Sequence, residues 1–321
     1  ETIMSIRNKT LLAVLLCGIF GVAAAAPKGG ASNNGNTVRT GSSDAKPFGA
    51  GKAGLSFSIN NGGSWSKSIN LDDGPVKYIR AKYQAPINGN DPYANVDGTR
   101  NLQYLYLGDV KPVIGWFYNP TLGQVWYENR HNNTEVYSVR QIANPAIPAA
   151  PKFGGLVIAK VPDMGGSNGN VFFGEWAPRA GNPQKISTDL NMADGKRTVW
   201  YVGDNPTQNM PNLVNEQYNV LGVNKHTPGQ NDFYTGVLTA NYGTGSGSLT
   251  GTLSRPGDSV NFANTNIRSD GTFNNGEHAA DKITGRFYGS GAEALAGIVD
   301  RDGQAGVDRD IAFGGKRIPK P

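Results

Sequence analysis

One of the three histidines in this 321-residue chain stands where two predicted strands turn back on each other. His131 lies in VWYENRHNNTEVYSV, in which residues 124–129 and 134–139 show strand-like patterns and RHNN joins them. An imidazole at a hairpin tip projects outward and can offer a ring nitrogen to iron or another metal. Arg130 beside it can pair with an anionic group.

Aromatic residues accompany this hairpin and can supply a flat apolar wall for a ligand. They are Trp126 and Tyr127 within the hairpin and Trp116, Phe117 and Tyr118 before it. The alternative interpretation is that Arg-His-Asn-Asn is an ordinary polar turn and that the aromatic residues form the core of a sheet. The chain also holds thirteen tyrosines, so tyrosine as a metal ligand stays open.

The other two histidines are expected in solvated loops. His226 precedes a Pro-Gly turn in NKHTPGQND, and His278 lies in the polar stretch NNGEHAAD. Either is a candidate second ligand only if its loop faces the residues around His131. With one cysteine, the chain has no Cys/His set for a zinc site.

Motifs that resemble catalytic sites lack the required context, so we expect no enzyme. GGSNG at 165–169 has the spacing of a nucleophile elbow, but a strand follows it where a helix is needed. DRDGQAGVDRD at 300–310 lacks the ligand spacing of a calcium loop, and GTGSGS at 243–248 opens no helix that could hold phosphate. These stretches are predicted to be turns.

Charge and N-terminal pattern indicate an exported protein. The formal net charge is +5 without a dense basic run, which argues against nucleic-acid binding. Arg7 and Lys9 precede the apolar stretch at 10–22 and the small residues AAAAP, as in a secretory signal peptide. Leu16 fits a lipoprotein site poorly, so Cys17 is interpreted as a signal-peptide residue. We expect a secreted protein, with cell-surface association open.

Composition along the chain predicts an all-β protein of two domains. Residues 1–26 are the signal peptide, 27–54 a flexible leader rich in Gly, Asn and Ser, 55–205 a β-rich N-terminal domain and 206–321 an eight-stranded antiparallel up-and-down β-barrel. The predicted barrel strands are 216–224, 232–241, 248–254, 260–268, 271–274, 281–288, 294–300 and 309–316.

The end of the chain carries a family resemblance. GRFYGSGAEALAGIV followed by IAFGGKR resembles the last strands of the C-terminal barrel in bacterial proteins similar to transferrin-binding protein B. TVWYVGDNPTQNMPNLVNEQYNVLGVNKH and VFFGEW look like the secreted branch that Slam-type translocons export, the hemophilin haemophores. The resemblance covers about the last third of the chain and implies a brief helical turn at Ala292–Leu295.

The resemblance implies a haemophore: a secreted protein that captures haem and hands it to a TonB-dependent-type outer-membrane receptor. In that family the barrel serves export and folding, and loops of the N-terminal domain hold haem through a histidine. Here the implied iron ligand is His131, with Arg130, Trp126, Tyr127 and Tyr118 around the haem. The alternative is a protein on the same scaffold that binds a host protein or another ligand instead of haem.

Overall fold

The computed structural model describes residues 25–32, 36–46, 48–58, 64–83, 85–87, 103–111, 116, 118–143, 153–165, 169–181, 187–301 and 309–320. Residues 1–24 of the predicted signal peptide, which include Cys17, and Phe117 lie outside this part of the chain. Strands dominate it, as predicted.

Numbered in chain order, the strands are β1 Lys28–Ala31, β2 Val38–Ser42, β3 Ala53–Phe57, β4 Ile69–Asn70, β5 Tyr104–Tyr106, β6 Thr121–Arg130, β7 Thr134–Gln141, β8 Gly155–Lys160, β9 Val171–Ala177, β10 Thr198–Gly203, β11 Leu213–Val223, β12 Tyr234–Gly243, β13 Ser246–Arg255, β14 Asp258–Asn261, β15 Thr265–Ile267, β16 Thr272–Asn274, β17 Lys282–Tyr288, β18 Ala294–Asp300 and β19 Ile311–Arg317.

The N-terminal half is built on a seven-stranded antiparallel sheet in the order β1-β10-β9-β8-β7-β6-β5. A second sheet of β2, β3 and β4, with a helical segment Asp72–Val76 leading into helix α1 (Lys77–Arg80), covers one of its faces. A second short helix, α2 (Leu107–Val110), follows β5. Because neighbouring strand residues point to opposite faces, β6 sends Val125 and Tyr127 into this layer and Trp126 to the other side.

The segment expected to be a flexible leader is instead part of the fold. Residues 27–54 contain β1, β2 and the start of β3, and β1 forms the edge of the seven-stranded sheet. Its glycines serve close packing: a Cβ on Gly29 would lie 1.9 Å from the Tyr201 carbonyl oxygen, so only glycine fits there. A high Gly and Ser content therefore gave a wrong prediction of disorder here.

The C-terminal half is a closed eight-stranded antiparallel barrel, as predicted. Strands β11 to β19 follow each other around the ring, and β19 pairs back to β11. β14 and β15 pair with successive parts of β13, so together they fill one of the eight positions. Buried rings fill the interior; among the largest are Tyr218, Tyr234, Phe262, Phe273, Phe287 and Phe313. Closure leaves the ring without a free sheet edge.

The helical turn expected at Ala292–Leu295 does not form. Ala292 has a φ of 58°, outside the right-handed helical region, and β18 already begins at Ala294. The Tyr218 hydroxyl donates a hydrogen bond of 2.6 Å to the Ala292 carbonyl and fixes this tight turn over the barrel wall. Tertiary contacts thus override the helix propensity of the Ala-Glu-Ala-Leu stretch.

The barrel packs against the face of the seven-stranded sheet that β2–β4 leave free. One apolar core combines Trp126 and Phe173 of the sheet with Leu221, Phe233 and Tyr288 of the barrel half. Among the described residues, no helix has the length and apolar character needed to span a membrane. Because of this shared core, the two halves of the chain bury apolar surface against each other, which fixes the barrel on the sheet.

Candidate functional site

The hairpin predicted around His131 is present. Strands β6 and β7 pair from Gly123↔Gln141 to Arg130↔Thr134, and one helical turn, His131–Asn133, joins them. Asn132 and Asn133 have φ values of 55° and 61°, the left-handed region that asparagine tolerates better than most residues. This geometry leaves His131 exposed at the tip, as an open ligand position requires.

Arg130 is turned away from the tip into the junction with the barrel. Its guanidinium contacts the carboxylate of Glu128 on the same strand and donates a 3.1 Å hydrogen bond to the Gln230 carbonyl of the β11–β12 loop. It also lies over the ring of Phe233, 5.5 Å from the centroid. The sequence analysis predicted that Arg130 pairs with an anionic group of a ligand. In the structure its partner is instead the carboxylate of Glu128.

His226 is buried, which corrects the expectation of a solvated loop residue. Its side chain is fully inaccessible, with Nδ1 2.6 Å from Asp232 and Nε2 2.8 Å from Glu128. The ring stacks on Phe233 at 4.4 Å. Burial alone would lower the pKa of His226, but hydrogen bonds to Asp232 and Glu128 outweigh it and raise the pKa to about 9. The imidazole is therefore a cation held between two carboxylates at neutral pH.

A second buried carboxylate holds the same loop. Glu175 of β9 accepts a 2.7 Å hydrogen bond from Arg197 Nε and further bonds of 2.8 and 2.7 Å from the backbone N–H groups of Lys225 and His226. Together with Glu128, it anchors the loop after β11 to the sheet. We call these groups (Glu128, Glu175, Arg197, His226 and Asp232) the junction cluster.

Among the residues that the structure describes, the aromatic side chains predicted around His131 do not form one wall. Trp126 is buried in the core shared with the barrel, whereas Tyr127 faces the opposite layer, stacks on Tyr137 at 5.0 Å and donates to Glu135. Consecutive positions on a strand cannot line one surface, because their side chains alternate. Tyr118 and Trp116 lie in the segment before β6, 53% and 82% exposed. Phe117 lies outside the described residues.

His278 lies exposed in a barrel loop, as predicted. Across the described ranges, no group of three or more His, Cys, Asp or Glu side chains is arranged to hold a metal ion. The motifs at 165–169 and 300–310 fall partly outside the described residues, while Gly243 and Ser246 flank the tight turn between β12 and β13. Exposed His131 and His278 are thus the two histidines with free access to an external ligand.

An apolar cavity of about 110 Å³ lies in the N-terminal half, between the β2–β4 layer with α1 and the seven-stranded sheet. Phe57, Tyr78, Leu122, Val139 and Leu156 are among the residues that form its wall. Leu122 stands nine residues before His131 along β6, which corresponds to about 30 Å at strand spacing. The cavity and the histidine tip therefore lie at opposite ends of the same hairpin.

The barrel matches a known protein family. Residues 208–317 match the model of the HphA C-terminal domain. These residues are the barrel itself, from shortly before β11 to the end of β19.

Three solved structures show weaker similarity. A surface lipoprotein matches at 16% identity and a TM-score of 0.31, over 62% of this chain and 100% of its own. The Phe-171-Ala mutant of transferrin binding protein B from Actinobacillus pleuropneumoniae H49 matches at 16% identity and a TM-score of 0.33, with the same coverage. The isotype 1 protein from serogroup B Neisseria meningitidis matches at 10% identity and 0.26, over 88% of this chain and 64% of that one.

Proposed function

We propose that this chain is a secreted bacterial haem-binding protein that captures haem and delivers it to an outer-membrane receptor. The observation that carries the proposal is the match of residues 208–317 to the HphA C-terminal domain, which belongs to the hemophilin family. In this proposal the protein acts by binding and release, without chemical turnover.

The haem belongs to the N-terminal part of the chain rather than to the barrel. The barrel interior is filled by buried aromatic side chains, such as Phe262 and Phe313, whose rings meet edge to face at 5.1 Å. A close-packed interior has no room for a porphyrin. We therefore assign residues 55–205 as the core of the ligand-binding domain and 206–321 as the barrel that serves export through a Slam-type translocon.

His131 is the proposed iron ligand, because its imidazole is exposed on a rigid hairpin and neutral imidazole is a common axial ligand of haem. The described tip supplies that ligand but little enclosure, since Trp126 and Tyr127 are buried and Arg130 is engaged with Glu128. Through Glu128, which lies three residues before His131 on β6, the junction cluster ties the tip end of the hairpin to the barrel loop after β11.

A host-interaction role without haem is the second candidate, and one observation favours it. Trp116 is 82% exposed and Tyr118 is 53% exposed, on the same segment before β6. Exposed aromatic side chains are enriched in protein–protein interfaces, where they supply much of the binding energy. Under this reading, the chain binds a host protein through this segment.

Titration with haemin separates the two candidates. The proposal predicts a saturable change in the visible spectrum of the wild-type protein, which weakens or loses its sharp Soret band in His131→Ala. The matched control is His278→Ala, another exposed histidine, which should bind like wild type. Equal spectra for all three proteins would remove His131 as the ligand. No saturable change in any of them would contradict haem binding and favour the second candidate.

A further inference from the structure

The apolar cavity in the N-terminal half is about half open and lies between two packed β layers. Its volume is about 110 Å³, and only apolar surface lines it. Protein interiors are otherwise packed to crystal-like density, with few voids larger than a water molecule. A cavity of this kind is a poor site for water, which needs two to four polar partners.

The size and the wall together define what would fit. An engineered apolar cavity of about 150 Å³ in another protein stays dry and binds benzene, so about 110 Å³ is close to the scale of one small ring. Four aromatic side chains contribute to the wall: Phe48, Phe57, Tyr78 and Phe153. Phe48 and Tyr78 already meet edge to face, with centroids 6.1 Å apart at 84°, the geometry that aromatic rings prefer.

We propose that this cavity is a binding site for a small, uncharged aromatic ligand of about benzene size, separate from the histidine tip. An ionised or hydroxylated ligand is disfavoured, because its polar group would enter a wall without a hydrogen-bond partner. The site does not depend on the haem proposal, since the cavity lies about 30 Å from His131 along β6 and its wall contains no histidine.

The wall also shows why the cavity is stable without collapsing. Leu122, Val139 and Leu156 stand on neighbouring strands of the seven-stranded sheet, and Leu55 and Phe57 stand on β3 of the layer above. Strand pairing holds the backbone on both sides of the gap. A ring in the gap would contact both layers.

Methyl NMR with benzene as the probe tests the site on the wild-type protein. Saturable shifts are expected for the methyl groups of Leu122, Val139 and Leu156, with no change for Leu238 and Leu253 inside the barrel. Phenol should bind at least about 10-fold more weakly, because its hydroxyl is left without a partner. Absence of saturable shifts, or equal shifts in the barrel, would overturn the proposal.

A cavity-filling variant provides the second measurement. Benzene near ten times its Kd should raise the Tm of the wild-type protein by about 2–5 °C. Val139→Phe should abolish this increase, because the added ring occupies the site itself. If Val139→Phe does not fold, Leu122→Phe replaces it from the facing strand. An unchanged benzene effect in the folded variant would overturn the site, whereas haemin binding decides the haem proposal separately.

Discussion

The junction cluster predicts that this protein loses stability on the alkaline side of neutral pH. His226 is the group responsible, because it sits fully buried between the carboxylates of Asp232 and Glu128. Its pKa is raised from 6.5 to about 9 in the folded protein, since the two hydrogen-bonded carboxylates outweigh the opposing effect of burial. A raised folded pKa means that the folded state holds the proton more tightly than the unfolded chain does.

The difference between the folded and unfolded pKa of His226 sets the direction and the size of the change in stability with pH. Below pH 6.5 both states carry the proton and the full contribution is present; between pH 6.5 and about 9 the unfolded chain releases it first, so stability falls. One pKa unit corresponds to about 1.4 kcal/mol, so the interaction contributes about 3 kcal/mol at pH 6 and little above pH 9. Glu175 also lies beside His226, where it accepts a hydrogen bond from the backbone N–H and not from the imidazole.

Urea unfolding followed by tryptophan fluorescence measures the effect at several pH values from 6 to 9.5. The free energy of unfolding should fall by about 3 kcal/mol across this range in the wild-type protein. His226→Gln should be less stable at pH 6 and nearly independent of pH, so that the two curves converge near pH 9. The control His278→Gln changes an exposed histidine and should keep the wild-type profile. Parallel curves for wild type and His226→Gln would refute the reasoning.

Two further predictions concern the contact between sheet and barrel. Glu128→Gln should lower the free energy of unfolding by about 3 kcal/mol, because Arg130 loses its carboxylate and the buried imidazole of His226 keeps only Asp232. The control Glu277→Gln, in an exposed ion pair, should cause no measurable change in urea unfolding. Gly314→Ala should lower the free energy of unfolding by about 1–3 kcal/mol in the same assay, because the added Cβ would lie 2.5 Å from the Phe173 ring. The control Gly243→Ala should match wild type, because its added Cβ would come no closer than 4.0 Å to Asn212. Equal effects in a variant and its control would contradict either prediction.

The barrel could be predicted from sequence because its strands follow one another locally. Alternating patterns and turn residues mark the strands, and seven of the eight predicted ranges match one strand to within a few residues. The predicted strand 260–268 is divided into β14 and β15. The helical turn predicted at Ala292–Leu295 was wrong: Ala292 has a positive φ, and its carbonyl accepts a hydrogen bond from Tyr218, 74 positions away, which no local pattern reveals.

The site was harder to predict because its contacts join distant parts of the chain. The hairpin around His131 follows from local signals, but the bond between His226 and Glu128 spans 98 positions. Sequence alone gave no sign that a histidine before a Pro-Gly turn would be buried. Strand geometry alone, however, places the consecutive residues Trp126 and Tyr127 on opposite faces of the sheet, which excludes both from one side of a ligand site.

Native mass spectrometry of the protein mixed with haemin tests the proposed haem binding most directly. We predict one haem retained per chain and a complex that survives buffer exchange. Recovery of the protein at its unliganded mass, or binding of several haems without a defined stoichiometry, would contradict the claim.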